Sequence, residues 1–258
     1  MNVLDFFDAL HPGASWRKWR AFVAVVYGEP LDAEALVTFR NYTGRLEPRP
    51  EGYPEAVIVV GVQSGKSSVA AALGDHAALT GEPGTHAILV SQDHRGAMRA
   101  LLRYARAPFE SVPAFRAEVS RSTSDLLELR RGTSLSAYPC RPAAVRGLRA
   151  NIVILDELGF YISTDGRPTD IEMLRVARGR VATTGGKLIV LSSPYGQAGA
   201  LWDLHRKHFG QEDSPILVWQ ASAPEMNPTL PANYIERMEK EDPEGYCQVE
   251  ALTGRLRR

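Results

Sequence analysis

Residues 56–68 constrain the fold more than any other stretch. Ala56-Val57-Ile58-Val59-Val60 is an unbroken apolar run, mostly β-branched, and Gly61 ends it. Val62-Gln63-Ser64 form a short loop, and Gly65-Lys66-Ser67-Ser68 open an alanine-rich stretch of helical character. The order is strand, loop, helix. A helix start offers unpaired backbone N–H groups and a positive dipole end, so it suits a phosphate. Lys66 adds a point charge for β- and γ-phosphates, and the Ser67 hydroxyl suits Mg²⁺. Gly61, Gln63, Ser64, Gly65 and Ser68 complete the candidate nucleotide-binding loop. The usual phosphate loop has four residues between its first glycine and Gly-Lys. Here only Val62, Gln63 and Ser64 stand there, so a chance Gly-Lys-Ser turn is the competing reading.

A second stretch favours the phosphate loop. Asn151-Ile152-Val153-Ile154-Leu155 is another buried-strand pattern, and it ends in Asp156-Glu157. A parallel strand covered on both faces reads as a continuous apolar run. Acids at its C-terminal end fall where open α/β sheets bind their ligands. Asp156 would hold Mg²⁺, directly or through water, and Glu157 would polarise an attacking water. The competing reading is a strand that runs out into a solvated acidic turn.

The chain of 258 residues is long enough for one large domain or two small ones. No apolar run has the length of a membrane span, and the N-terminus lacks a basic region followed by an apolar one. A cytosolic protein without membrane partners is expected. Cys140 and Cys247 read as two thiols in a reducing compartment, and no Cys/His cluster has zinc spacing. With 30 basic and 30 acidic residues the net charge is zero, so any DNA contact must come from a local patch or from several subunits together.

Before the core, residues 1–55 read as a helical segment packed on it. One helix is expected over 15–27, capped by Ser15 with Trp16, Trp19 and Phe22 on one face, and a second over 32–41. The core, 56–221, alternates strands and helices: strand 56–60, helix 66–79, strand 87–91, helix 95–106, strand 151–155, helix 169–183, a strand from 187, helix 197–209 and strand 215–220. Short strands with a hairpin turn at Arg130-Arg131-Gly132-Thr133 fill 115–138. The alternation predicts a mainly parallel α/β sheet flanked by helices. Residues 222–258 read as a small helical lid and the start of a linker, with helices over 234–242 and 244–252. The final Gly254-Arg255-Leu256-Arg257-Arg258 reads as the cut end of a longer protein.

With these residues in place, the chain resembles the ATPase part of the large terminase subunit, the DNA-packaging motor of tailed bacteriophages. The resemblance is carried in order by Ser15-Trp16-Arg17-Lys18-Trp19-Arg20-Ala21-Phe22, Tyr42-Thr43-Gly44-Arg45, the short phosphate loop, Ala144-Val145-Arg146-Gly147, Asp156-Glu157, Ser192-Ser193-Pro194 and Asn227-Pro228-Thr229-Leu230. It implies a P-loop NTPase of the additional-strand, catalytic-glutamate type. The first loop and Asp156-Glu157 would then be its Walker A and Walker B motifs. It also implies ATP as substrate with Mg²⁺, a ring of five copies, and double-stranded DNA driven into a prohead. The partners would be the portal and the small terminase subunit, in the host cytoplasm. The acidic cluster of the nuclease domain is not visible, so no DNA cleavage is expected from these residues.

One departure bears on mechanism. Relatives often carry arginine just before the Gly-Lys-Ser/Thr triplet, where this chain has Val62 and Gln63. Arg141, Arg146 and Arg149 are the remaining candidates, and Arg146, within Val-Arg-Gly, is expected to reach a neighbouring subunit's nucleotide. The alternatives for it are a pair with Asp156 or Glu157 at home, or a solvated loop. Ser192-Ser193 resembles the coupling motif that reports loss of the γ-phosphate; a strand ending in polar residues is the plain alternative. Gln63 faces phosphate, Glu157 or water. Arg45 and Trp16 are candidates for the adenine end. Arg99, Arg103 and Arg106 share a helix face, as a DNA or subunit patch or as solvated arginines. A nucleotide-binding assembly module with little activity alone, a helicase-like ATPase and a small-molecule kinase remain open as other readings.

Overall fold

The apolar runs that dominate the sequence become the centre of one eight-stranded sheet. In the computed structural model, which describes residues 1–92, 101–162, 166–194 and 196–241, the strands are β1 (Glu55–Val60), β2 (His86–Ser91), β3 (Val119–Ser122), β4 (Leu126–Leu129), β5 (Ser134–Pro139), β6 (Ala150–Asp156), β7 (Lys187–Ser192) and β8 (Ile216–Ala221). Their order is β3-β4-β5-β2-β6-β7-β1-β8. Neighbouring pairs from β5 through to β8 are all parallel, and only β4 runs against its neighbours. The turn at 130–133 joins β4 to β5, and Gly132 takes φ +85° there. β7 lies between β1 and β6, so an additional strand separates the phosphate-loop strand from the acidic one.

Alternation along each strand divides the core into two layers. Ala56, Ile58 and Val60 face one side with Leu89, Ile154 and Leu191, while Val57 and Val59 face the other with Val90, Val153 and Val190. On the first side lie α1 (Val3–Leu10), α2 (Arg17–Tyr27), α3 (Ala33–Thr43), α4 (Lys66–Thr80), α5 (Leu102–Ser111) and α6 (Pro113–Glu118). On the second lie α7 (Pro142–Val145), α8 (Asp170–Val181) and α9 (Gly199–His208). The N-terminal helices thus share one core with the sheet. After β8 come α10 (Ala223–Met226), closed by a capping box between Ser222 and Glu225, and α11 (Ala232–Glu241).

Several local expectations are corrected. Ser15 does not cap a helix: Ala14–Trp16 is a 3₁₀ turn, and α2 starts after Trp16 without a side-chain cap. The helix α1, capped by Asn2, has too short an apolar pattern to stand out in the sequence. The helix expected over 95–106 is described from 102 onward, where it continues to Ser111 with Pro108 inside it. Arg99, Cys247 and the helix expected over 244–252 lie outside the described residues. Among the described residues, no helix is long and apolar enough to cross a membrane.

Candidate nucleotide-binding site

Three adjacent parallel strands, β6, β7 and β1, deliver their C-terminal ends to one place. β1 brings the loop 61–65, β6 brings Asp156 and Glu157, and β7 brings Ser192 and Ser193. α4 starts at Lys66, and Gly65 before it has φ +97°. A Cβ on Gly65 would lie 3.1 Å from Trp16, so glycine is needed there for both conformation and close approach.

Lys66 is buried. Its Nζ donates to Gly61 O at 3.1 Å and to Ser193 Oγ at 2.9 Å, and lies 3.4 Å from Glu157 Oε1. The Glu157 carboxylate accepts from the Ser193 backbone N–H at 2.9 Å and from Ser192 Oγ at 3.3 Å. Lys66, Glu157, Ser192 and Ser193 are therefore one connected network. Ser192 also accepts from the Gly159 N–H at 3.2 Å. Gln63 and Glu157 are the non-glycine residues with positive φ among the described residues, at 64° and 59°. Such backbone costs about 1–3 kcal/mol per residue and gathers at functional sites.

Asp156 sits beneath this network. Burial above all, and the neighbouring Glu157 charge next, push its carboxyl from the usual 3.8 up to about 7, with Lys66 pulling the other way. Its Oδ1 is buried with no partner. An orphaned, buried carboxylate oxygen at the end of β6 fits a cation such as Mg²⁺. Ser64 is also buried, and its hydroxyl too lacks a partner.

A cavity of ≈ 500 Å³ opens over the loop. Val62, Gln63, Ser64, Gly65, Lys66, Ser67 and Ser68 form its floor, and Glu157 stands on one side. Trp16, Arg103, Tyr104 and Asn227 complete the wall. A cavity of this volume is in the usual range for small-molecule sites. The Trp19 indole donates to Ser64 O at 2.8 Å, and Asn227 donates to Gln63 O at 2.8 Å. The sequence reading did not find these bracing contacts; a Trp N–H needs a partner when buried, and for Trp19 that was the available signal.

Other candidates fall elsewhere. Arg45 is not at an adenine end. Its buried guanidinium donates to Ser214 O and Ile216 O at the N-terminal edge of β8, the opposite end of the sheet from the loop, and to His208 O at the end of α9. Arg146 is exposed, pairs with Glu172 at 2.7 Å and does not line the cavity. Arg149 pairs with Glu82 at 3.2 Å, and Arg141 is exposed. Of the proposed arginine face, Arg103 lies at the cavity, and Arg106 is half-buried.

No protein-family model matches the chain, and no curated protein matches it. Solved structures do. The large terminase ATPase domain of Thermus phage P74-26 superposes with a TM-score of 0.60 at 16% identity, covering 88% of this chain and 95% of that one. The HK97 bacteriophage large terminase gives 0.61 at 20% identity, covering 93% of this chain and 55% of that one. A large terminase from a thermophilic bacteriophage, in complex with ADP, gives 0.55 at 14% identity, covering 72% of this chain and 44% of that one. The chain therefore shares the fold of phage large terminase ATPase domains.

Proposed function

We propose that this chain hydrolyses ATP to drive double-stranded DNA into a viral prohead. One observation carries the reading: a phosphate-loop lysine, a strand-end glutamate and a serine pair from the intervening strand converge on one network beside a cavity. The fold shared with terminase ATPase domains, one of them in complex with ADP, supports it.

In this reading the 61–68 loop and Lys66 bind the phosphates. Ser67 and Asp156 hold Mg²⁺, which when bound neutralises charge on the β- and γ-oxygens. Glu157 orients and deprotonates water. Ser192 and Ser193 touch both Lys66 and Glu157, so a change at the γ-phosphate is felt at the end of β7. Arg146 acts in trans. Its Glu172 pair is surface-exposed, and such pairs are worth about 0–1 kcal/mol, so releasing it for a neighbour's nucleotide costs little. Copies form a ring, with five as the expected number, on the portal and with the small terminase subunit. The described part of the segment after β8, residues 222–241, belongs to a lid subdomain. ATP and Mg²⁺ are the only small molecules required, and no nuclease activity is expected from these residues.

A second reading, a nucleotide-binding assembly module with little turnover alone, is favoured by the position of Arg146 outside its own cavity. One experiment separates the two: ATPase rate against protein concentration for wild type, Glu157→Ala, Arg146→Ala and a mixture of the two variants. The motor reading expects specific activity to rise with concentration, each variant to be inactive and the mixture to recover. Activity independent of concentration, with Arg146→Ala active, overturns the trans role.

A further inference from the structure

We propose that Arg103 serves the nucleotide of its own chain, as the cis arginine that the phosphate loop lacks. The inference rests on the ATP reading above. Arg103 is the second residue of α5, which packs against α4, and it lines the same cavity as Gln63, Lys66 and Glu157. Its side chain is exposed, and its guanidinium rests over the Tyr104 ring, 5.5 Å from the centroid.

Charge within the cavity singles it out. Lys66 already faces Glu157 at 3.4 Å. Arg20, Arg40, Arg49, Arg146, Arg149 and Arg178 are each committed to a carboxylate. Arg103 has no carboxylate partner among the described residues. It therefore brings a planar guanidinium, uncommitted to any described carboxylate, to a cavity that in the ATP reading receives a polyanion. Guanidinium groups bind phosphate oxygens with two parallel hydrogen bonds, which an ammonium group cannot do. The aromatic ring beneath holds the group near the site without neutralising it.

The step balances without a redox partner. Water oxygen bonds to the γ-phosphorus, the bond from that phosphorus to the β,γ-bridging oxygen breaks, and the water proton passes to Glu157. ADP and phosphate leave. Arg103 exchanges no proton; it donates hydrogen bonds to γ-phosphate oxygens whose charge redistributes in the transition state.

The test compares wild type, Arg103→Ala, Arg103→Lys and Lys66→Ala in the full chain. The first measurement is affinity for Mg·ADP alone and for Mg·ADP with aluminium fluoride, a mimic of the transferring phosphoryl group. It needs no turnover. Arg103→Ala should lose the extra affinity for the aluminium fluoride complex on the order of 10³-fold, with ADP binding changed by about tenfold or less. Arg103→Lys should not restore it. Unchanged discrimination in Arg103→Ala overturns the inference. Where turnover is measurable, Arg103→Ala mixed with Glu157→Gln should stay inactive, because both residues serve the same site. Recovery in that mixture would place Arg103 in trans and overturn the cis assignment. Lys66→Ala should abolish ADP binding; full affinity in that variant refutes the ATP reading itself, whatever Arg103 does.

Discussion

Asp156→Asn tests the electrostatics of the site without any ligand. The carboxyl is buried, and its pKa stands at about 7 against an ordinary 3.8. The native state therefore keeps its proton over a pH range where the unfolded chain has lost it. The unfolded state binds fewer protons there, so stability falls as pH rises. The contribution is fully present below 3.8 and is lost as pH climbs through about 7. Integrated between pH 5 and pH 8 with these two values, the loss is about 2.6 kcal/mol. Asparagine carries no titrating proton, so its stability lacks this slope. The assay is urea unfolding of the Mg²⁺-free, nucleotide-free protein at several pH values. The difference, Asp156→Asn minus wild type, should grow by about 2–3 kcal/mol from pH 5 to pH 8. Taking the difference cancels the titrating groups that do not interact with Asp156, Asp75 among them, and leaves Asp156 with its neighbours Glu157 and Lys66. A difference flat within about 0.5 kcal/mol across that range would refute the argument, and with it the burial of an unpartnered Asp156.

Three further outcomes are expected. Arg45→Ala should lower stability by about 3–5 kcal/mol, because it strands buried carbonyls of Ser214, His208 and Ile216, while ADP affinity of the folded protein holds; calorimetric Tm and ADP titration together check this. Trp19→Phe removes the donor to Ser64 O, costs about 1 kcal/mol of stability and weakens ADP binding by loosening the loop; an unaltered ADP affinity would separate the indole from the site. Asp75 is fully buried on α4 with neither oxygen partnered, and burial raises its pKa well above the usual carboxylate range. The wild type should therefore lose stability as pH rises from the ordinary carboxylate range, and Asp75→Asn should flatten part of that slope in a series of urea midpoints.

What was legible in the sequence follows from how each feature is encoded. The runs at 56–60, 152–155 and 188–191 are buried on both faces of a parallel sheet, so they show as unbroken apolar stretches. Asp156-Glu157 and Ser192-Ser193 were legible because a polar pair directly follows each of the last two apolar runs. Arg45 was misplaced because a motif-like neighbourhood carries no information about which end of the sheet it meets. Only the fold brings it to the carbonyls at the end of α9 and the start of β8. Arg103 was grouped with Arg106 by helical spacing, yet the two differ in surroundings: one opens on the cavity and the other is half-buried. Periodicity gives a face, and packing decides what that face meets.

The shortened phosphate loop explains why residues outside the core take part in the site. A loop with one residue fewer must still turn from β1 into α4. It does so with Gln63 and Gly65 both at positive φ, and Gln63 is not a glycine. A strained backbone persists only where surrounding contacts over-determine it. Those contacts are present on both sides. Trp19, from the N-terminal helices, holds the Ser64 carbonyl, and Asn227, from beyond β8, holds the Gln63 carbonyl. Trp16 closes against Gly65. The two carbonyls next to the turn are thus fixed by side chains that come from before and after the strand-helix core. A nucleotide that shifts Gln63 or Ser64 must also shift Asn227 or Trp19. The loop is for that reason mechanically joined to the N-terminal helices and to the 222–241 segment.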